Sequence, residues 1–201
     1  MHCRLRPAAA ADLAAIMRLE HAGFSAAIRE SEQTFAQRLS AAPEGCWVLE
    51  GPAGRLYGYL CAEFWPLEPG FEAGRFARDH AAAATHCADG EELYVSSMVV
   101  DPAMRGTGWG RRLFRDGLAA MFARHSRLRS AILIVHPAWD AARRIYRAEG
   151  FQEIGRIDGY FAAADGDGNG AAPGPRLPAI VMRRARMATP FQLFWPCHTA
   201  P

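Results

Sequence analysis

The sequence predicts an α/β protein of the α+β type, and three observations carry that prediction. From "ELYVSSMVVDP" through "WGRRLFRDGLAAMFARHS" and "SAILIVHP" to "AWDAARRIYRAEG", strand and helix patterns alternate as a βαβα unit. Upstream, "WVLE" and "RLYGYLCAEFW" flank the Gly-Pro-Ala-Gly stretch at 51–54, which reads as an antiparallel hairpin. The chain has 201 residues, half of them apolar, enough for one core without staples.

Taken in order, "CRLRPA" reads as a first strand. Leu13, Ile16, Met17, Leu19 and Glu20 then follow helical spacing, with Asp12 in the first turn. Ser31 before "EQTFAQRLSAA" is an N-cap candidate, and Phe35 and Leu39 stand on one face of a second short helix. After the hairpin, "PLEPGFEAGRFARDHAAAATHCAD" (66–89) has turn signals and an alanine run, and reads as an irregular or partly helical surface insertion of a length that is often functional. In the third helix Leu113, Phe114, Leu118, Met121 and Phe122 form one apolar stripe, and "AILIV" is an unbroken run of the kind parallel strands buried on both faces show. "FQEIGRI" and "LPAIVMRR" add two strands, separated by the glycine-rich "DGDGNGAAPGP". The domain is expected over 1–186, with 187–201 a proline-cut tail whose Phe191, Phe194 and Trp195 could cover a groove or a second subunit, so a homodimer is allowed for.

Composition excludes several classes. The chain has no lysine, and its arginines nearly balance its acids to a formal charge of +2, so no nucleic-acid partner is expected. Five scattered cysteines form neither a disulfide frame nor a zinc motif, and imply a reducing, cytoplasmic setting. The start "MHCRLRPAAAADLAAIM" imitates a leader, but Asp12 interrupts it and the helical pattern continues, so it belongs to the fold. With no long apolar run, no membrane partner is expected.

The stretch "DPAMRGTGWGRRLF" (101–114) closes a strand and opens a helix, with Gly106, Gly108 and Gly110 among Arg105, Arg111 and Arg112. Strand, tight glycine turn and helix aim free backbone N–H groups and the positive helix end at one point, which favours an anion such as phosphate. Glycine reaches positive φ and lets a ligand approach the main chain. A Walker loop requires Gly-Lys-Ser/Thr, whereas Gly110 precedes Arg111; a dinucleotide fingerprint requires its third glycine one residue later. An ordinary βα connection is the plain alternative.

"VVDPAMRGTGWG" followed by "ARRIYRAEGF" resembles the GNAT superfamily of acetyl-CoA-dependent N-acetyltransferases, and within it the ribosomal-protein alanine N-acetyltransferase branch, over roughly residues 3–186. Arg105, Gly108 and Gly110 stand at the defining positions of that family's R/Q-x-x-G-x-G/A motif. The resemblance implies a central mixed, mostly antiparallel twisted sheet of about seven strands, a parallel splayed pair in its middle, and about four flanking helices. It also implies acetyl-CoA as cosubstrate and no metal. The diphosphate would lie on Arg105, Gly106, Thr107, Gly108, Trp109, Gly110 and Arg111, and the pantetheine arm would pair with the strand at Met98, Val99 and Val100. One departure is Trp139, where family members often carry Asn.

Acyl transfer to an amine, or to a peptide N-terminus, needs the nitrogen unprotonated. At pH 7 that costs about 4 to 5 kcal/mol for a lysine-like amine and about 1 to 1.5 kcal/mol for an α-amino group. The resemblance implies Glu92 as general base, and strand parity places it with Tyr94, Ser96 and Met98; Glu63 stands second. Tyr146, before Gly150-Phe151, is implied as the group facing the departing sulfur, although its place on the Trp139, Ala142, Tyr146 stripe also suits a core residue. Other motifs carry less. "DGDGNG" has Arg176 where a calcium loop needs Glu, and His80, His86 and Cys87 have poor metal spacing. The alternative to an enzyme is a non-catalytic acyl-CoA binder with the same fold.

Overall fold

A computed structural model describes residues 2–162 and 176–186. The glycine-rich 165–170 and the tail aromatics lie outside the described residues. The strands are β1 (Arg4–Pro7), β2 (Cys46–Glu50), β3 (Leu56–Trp65), β4 (Glu92–Val100), β5 (Ser130–Val135), β6 (Gln152–Phe161) and β7 (Leu177–Ala185). They form one seven-stranded sheet in the order β1-β2-β3-β4-β5-β7-β6, with β4 and β5 its parallel pair. The helices are α1 (Leu13–Gly23), α2 (Glu32–Ala41), α3 (Ala82–Thr85), α4 (Trp109–Arg124) and α5 (Asp140–Ala148). The additional helix α3 is a single turn inside the 66–89 insertion.

Local chemistry explains the elements. Ser31 Oγ accepts the Thr34 amide at 3.2 Å and caps α2. The stripe on α4 packs with Leu60, Leu93 and Leu133 into the main core beneath α4 and α5. On the opposite face Ile16, Leu19 and Phe35 of α1 and α2 meet Val48, Tyr59 and Cys61. Further along that face the insertion supplies Phe76, which packs with Trp65, Tyr94, Ile132 and Val181. Between α1 and the insertion, over the middle of β4, the cores leave a gap.

Strand parity does not run through β4. Cys61 pairs with Ser97 but Ala62 with Val95, so Ser96 is the extra residue of a β-bulge. Tyr94 packs beneath the insertion, Ser97 turns toward Tyr59 on the same face, and Met98 joins the α4 side. The expectation that Glu92 and Met98 share a face is therefore corrected, because one inserted residue inverts the alternation.

Candidate active site

The turn between β4 and α4 begins with Asp101, whose carboxylate accepts the Ala103 amide at 3.0 Å. Gly106 (φ +75°) and Gly108 (φ +85°) then take left-handed conformations, and a Cβ at either would meet nothing within 4 Å. Backbone conformation, not crowding, requires glycine there. Among the described residues the amides of Gly106, Gly108, Trp109, Gly110 and Arg111 have no protein acceptor, while Thr107 gives both its amide and its hydroxyl to the Met104 carbonyl. The open amides cluster at the start of the 16-residue α4, whose dipole adds positive potential. The arginines divide their roles. Arg111 Nε donates to Glu149 at 2.8 Å, and Arg112 lies over the Trp109 ring and 3.5 Å from Asp116. Arg105 is exposed and lines the adjacent groove.

That groove, of about 690 Å³, runs from Arg105 and Gly110 along Met98, Val99 and Val100 to Tyr146. It exists because β4 and β5 pair only from Glu92–Val95 against Ser130–Leu133, after which the strands separate. The edge of β4 beyond the bulge faces the groove without a strand partner, a main-chain surface suited to an extended amide-bearing ligand. Tyr146 is buried against Phe114, with ring centroids 4.8 Å apart, and burial pushes its phenol up to about 12. Its hydroxyl has no protein partner among the described residues.

A second cavity, of about 530 Å³, occupies the gap between α1 and the insertion. Phe24, Ile28, Ser96, Ser97, Ile134 and Trp139 line both spaces, so the two meet at the bulge. Trp139 stands at the junction, stacked on His136 (centroids 5.5 Å apart) and next to Phe24 (5.4 Å). Tyr160 donates its hydroxyl to the Phe76 carbonyl at 2.5 Å and ties β6 to the insertion as one wall. The lining is mixed, aromatic and aliphatic side chains alternating with the charged Glu20, Glu30, Asp79, Asp158, Arg78 and Arg176.

The candidate bases are placed elsewhere. Glu92 is buried at the opposite end of β4, where Ser130 Oγ donates to it at 2.7 Å and Arg183 grips both oxygens at 2.8 and 3.0 Å. Trp65 and Tyr94, stacked at 4.0 Å, and Phe76 fill the space between it and the second cavity. Its lone pairs are committed to the fold, which corrects the expectation of a general base there. Glu63 is fully buried and receives His80 Nε2 at 2.8 Å, Thr85 Oγ1 at 2.6 Å and Trp65 Nε1 at 3.3 Å. Burial pushes its carboxyl up, but those bonds and the Arg38 charge outweigh it and hold the value at about 2. His86 Nδ1 accepts the Phe64 amide at 3.1 Å, so His80 and His86 serve different partners.

Sequence reasoning passed over one of the carboxylates that line the second cavity, Glu20. It sits on the buried face of α1 beside Ile16, Met17 and Leu19, accepting from Tyr59 Oη and from the Glu30 amide at 3.0 Å. An acid within an apolar stripe was its only signal.

Residues 13–151 match the acetyltransferase (GNAT) family. The N-alpha-acetyltransferase RimI of Mycobacterium tuberculosis is 40% identical over 76 residues, which span 38% of this chain and 45% of that protein, less than half its length. Among solved structures, the ribosomal-protein-S18-alanine N-acetyltransferase from Escherichia coli superposes with a TM-score of 0.66 at 20% identity, covering 96% of this chain and 100% of that one. The GphF GNAT-like decarboxylase in complex with isobutyryl-CoA gives 0.70 at 22% identity, covering 90% and 98%. At such identities these structures share the fold. With a family match over well more than half its residues, and with the open-amide turn and the splayed strand pair in place, the chain belongs to the acetyltransferase (GNAT) family.

Proposed function

We propose that the protein transfers an acetyl group from acetyl-CoA to a primary amine by direct attack, with both substrates bound together. One observation carries this reading: a groove beginning at unpartnered amides and a separate cavity with aromatic walls and charged points open onto each other at Ser96 and Ser97. Acetyl-CoA, when bound, supplies the activated thioester. The amides at 106 and 108–111 suit its diphosphate, with Arg105 as a charge-assisted donor, and the free edge at Met98–Val100 suits the pantetheine amides. Tyr146 donates its phenolic proton in a hydrogen bond to the sulfur as the C–S bond breaks. Full transfer from a phenol at about 12 to a thiolate near 8.5 would run uphill by roughly 5 kcal/mol, so hydrogen bonding is the role its value supports.

For the acceptor, the RimI relative is named for α-amino acetylation, and an unblocked peptide N-terminus is the class we favour. The aromatic walls at Phe24, Tyr94, Trp139 and Tyr160 also suit an arylalkylamine. Incubation with acetyl-CoA and a panel of N-terminal peptides, arylalkylamines and polyamines, read by mass spectrometry and thiol release, tests the reading. Acetylated product is expected. Coenzyme binding by calorimetry without any transfer, unaltered in Tyr146→Phe, would select a non-catalytic acyl-CoA binder.

A further inference from the structure

With Glu92 closed off by Arg183 and Ser130, the proton of an acceptor ammonium needs another destination. Ser97 stands where the two cavities meet, its Oγ 2.9 Å from Tyr59 Oη, and Tyr59 in turn donates to Glu20. A phenol has one proton, and here it is committed to the Glu20 carboxylate. The proton shared between Ser97 and Tyr59 must then be the serine's own. Ser97 Oγ thus donates inward, and its lone pairs are left for a donor in the cavities that the residue lines.

We infer that Ser97, Tyr59 and Glu20 form a directed proton relay in which Ser97 takes the proton of the acceptor ammonium and Glu20 is the terminal base. The inference rests on the acetyl-transfer reading above. An ammonium N–H bond breaks as Ser97 Oγ gains that proton; the original serine proton passes to Tyr59 Oη, and the original tyrosine proton to Glu20. The products are a neutral amine, two hydroxyls with reversed donor sense, and a carboxylic acid that releases its proton into the cavity it lines.

The surroundings suit each part. Tyr59 is fully buried, which pushes its phenol well above the ordinary value, so it conveys protons without holding charge. Burial also raises Glu20, and the bonds from Tyr59 and the Glu30 amide offset this only in part. Of the charged groups facing Glu20, Glu30 favours the protonated form and Arg38 opposes it, but Arg38 is engaged bidentately by Glu30 at 2.5 and 2.8 Å. Across the cavity stand Arg78, Asp79, Asp158 and Arg176. A carboxylate held above its usual range by burial is a better match to an ammonium than an exposed one.

The test compares wild type, Ser97→Ala, Ser97→Thr and Glu20→Gln with acetyl-CoA and three acceptors: a short alanine-initiated peptide, phenylethylamine and spermidine. Turnover is followed from pH 6 to 10. At pH 7 Ser97→Ala and Glu20→Gln should lose about a hundredfold in kcat with phenylethylamine and spermidine, and no more than about tenfold with the peptide, whose α-amino group is already roughly a tenth free, with unchanged KM for acetyl-CoA. The deficit should shrink tenfold per pH unit and vanish as the free amine becomes abundant, and Ser97→Thr should restore the wild-type profile. Circular dichroism and melting verify that each variant is folded. A folded Ser97→Ala with the wild-type pH profile overturns the relay and leaves acetyl transfer standing. Wild type without turnover on any acceptor overturns both.

Discussion

Tyr146 illustrates how burial fixes the protonation state of one side chain. A phenol held at about 12 is neutral throughout the working pH range, so it can donate but not act as a base. Tyr146→Phe should lower kcat ten- to a hundredfold, about 1.4 to 2.7 kcal/mol of transition-state stabilisation, with coenzyme affinity unchanged. Because the hydroxyl has no protein partner among the described residues, the melting temperature should stay close to wild type. Gly108 makes a second single-residue case. At φ +85° a Cβ meets no neighbour, so Gly108→Ala carries only backbone strain, about 1 to 2 kcal/mol, in the empty protein. That methyl also narrows the turn, and the dissociation constant of acetyl-CoA, read by calorimetry, should rise at least tenfold. Both residues were singled out in the sequence, one from the glycine spacing and one from its register with Gly150-Phe151. Glu20 was not, because an acid in a helical stripe looks the same in sequence whether it faces solvent or a cavity.

Among the elements, the 66–89 insertion is tied to the sheet by a charged latch. His80 Nδ1 faces the Ala77 carbonyl and Nε2 faces Glu63, both at 2.8 Å. Neither partner can donate, so both ring nitrogens do, and the imidazole is charged. Burial pushes His80 down, but its bonds to Glu63 and Ala77 raise it overall. A histidine raised in the fold contributes stability that is complete below the unfolded value near 6.5 and disappears as pH climbs through the raised one. Glu63, at about 2, contributes above its unfolded 4.5 and loses that contribution as pH falls toward 2. The melting-temperature gap between wild type and His80→Asn should therefore be widest near pH 5 to 6 and narrow steadily toward pH 9, as calorimetry can follow. The existence of β3, β4 and α4 followed from periodicity. The bulge at Ser96 did not, since "VSSMVV" reads as one alternation until a partner strand shows the extra residue.

For the whole molecule, the groove along β4 is a property of how the sheet opens, and a ligand there should tie β4, α4 and α5 together. At a hundredfold excess over its dissociation constant, acetyl-CoA should add about 2.7 kcal/mol by mass action. For a chain of this size that is a rise of roughly 5 to 10 °C in melting temperature, which Gly108→Ala should reduce at equal concentration. What the sequence by itself determined was the order of strands and helices, the glycine turn that opens α4 and the family, because each depends on neighbours a few residues apart. Only the tertiary structure decided that Glu92 belongs to Arg183 and that Ser97, Tyr59 and Glu20 share one hydrogen-bonded line. Those partners lie about 40 to 90 residues apart in the chain, and the folding of α1, the sheet and the insertion, not any local pattern, selects which carboxylate meets Tyr59.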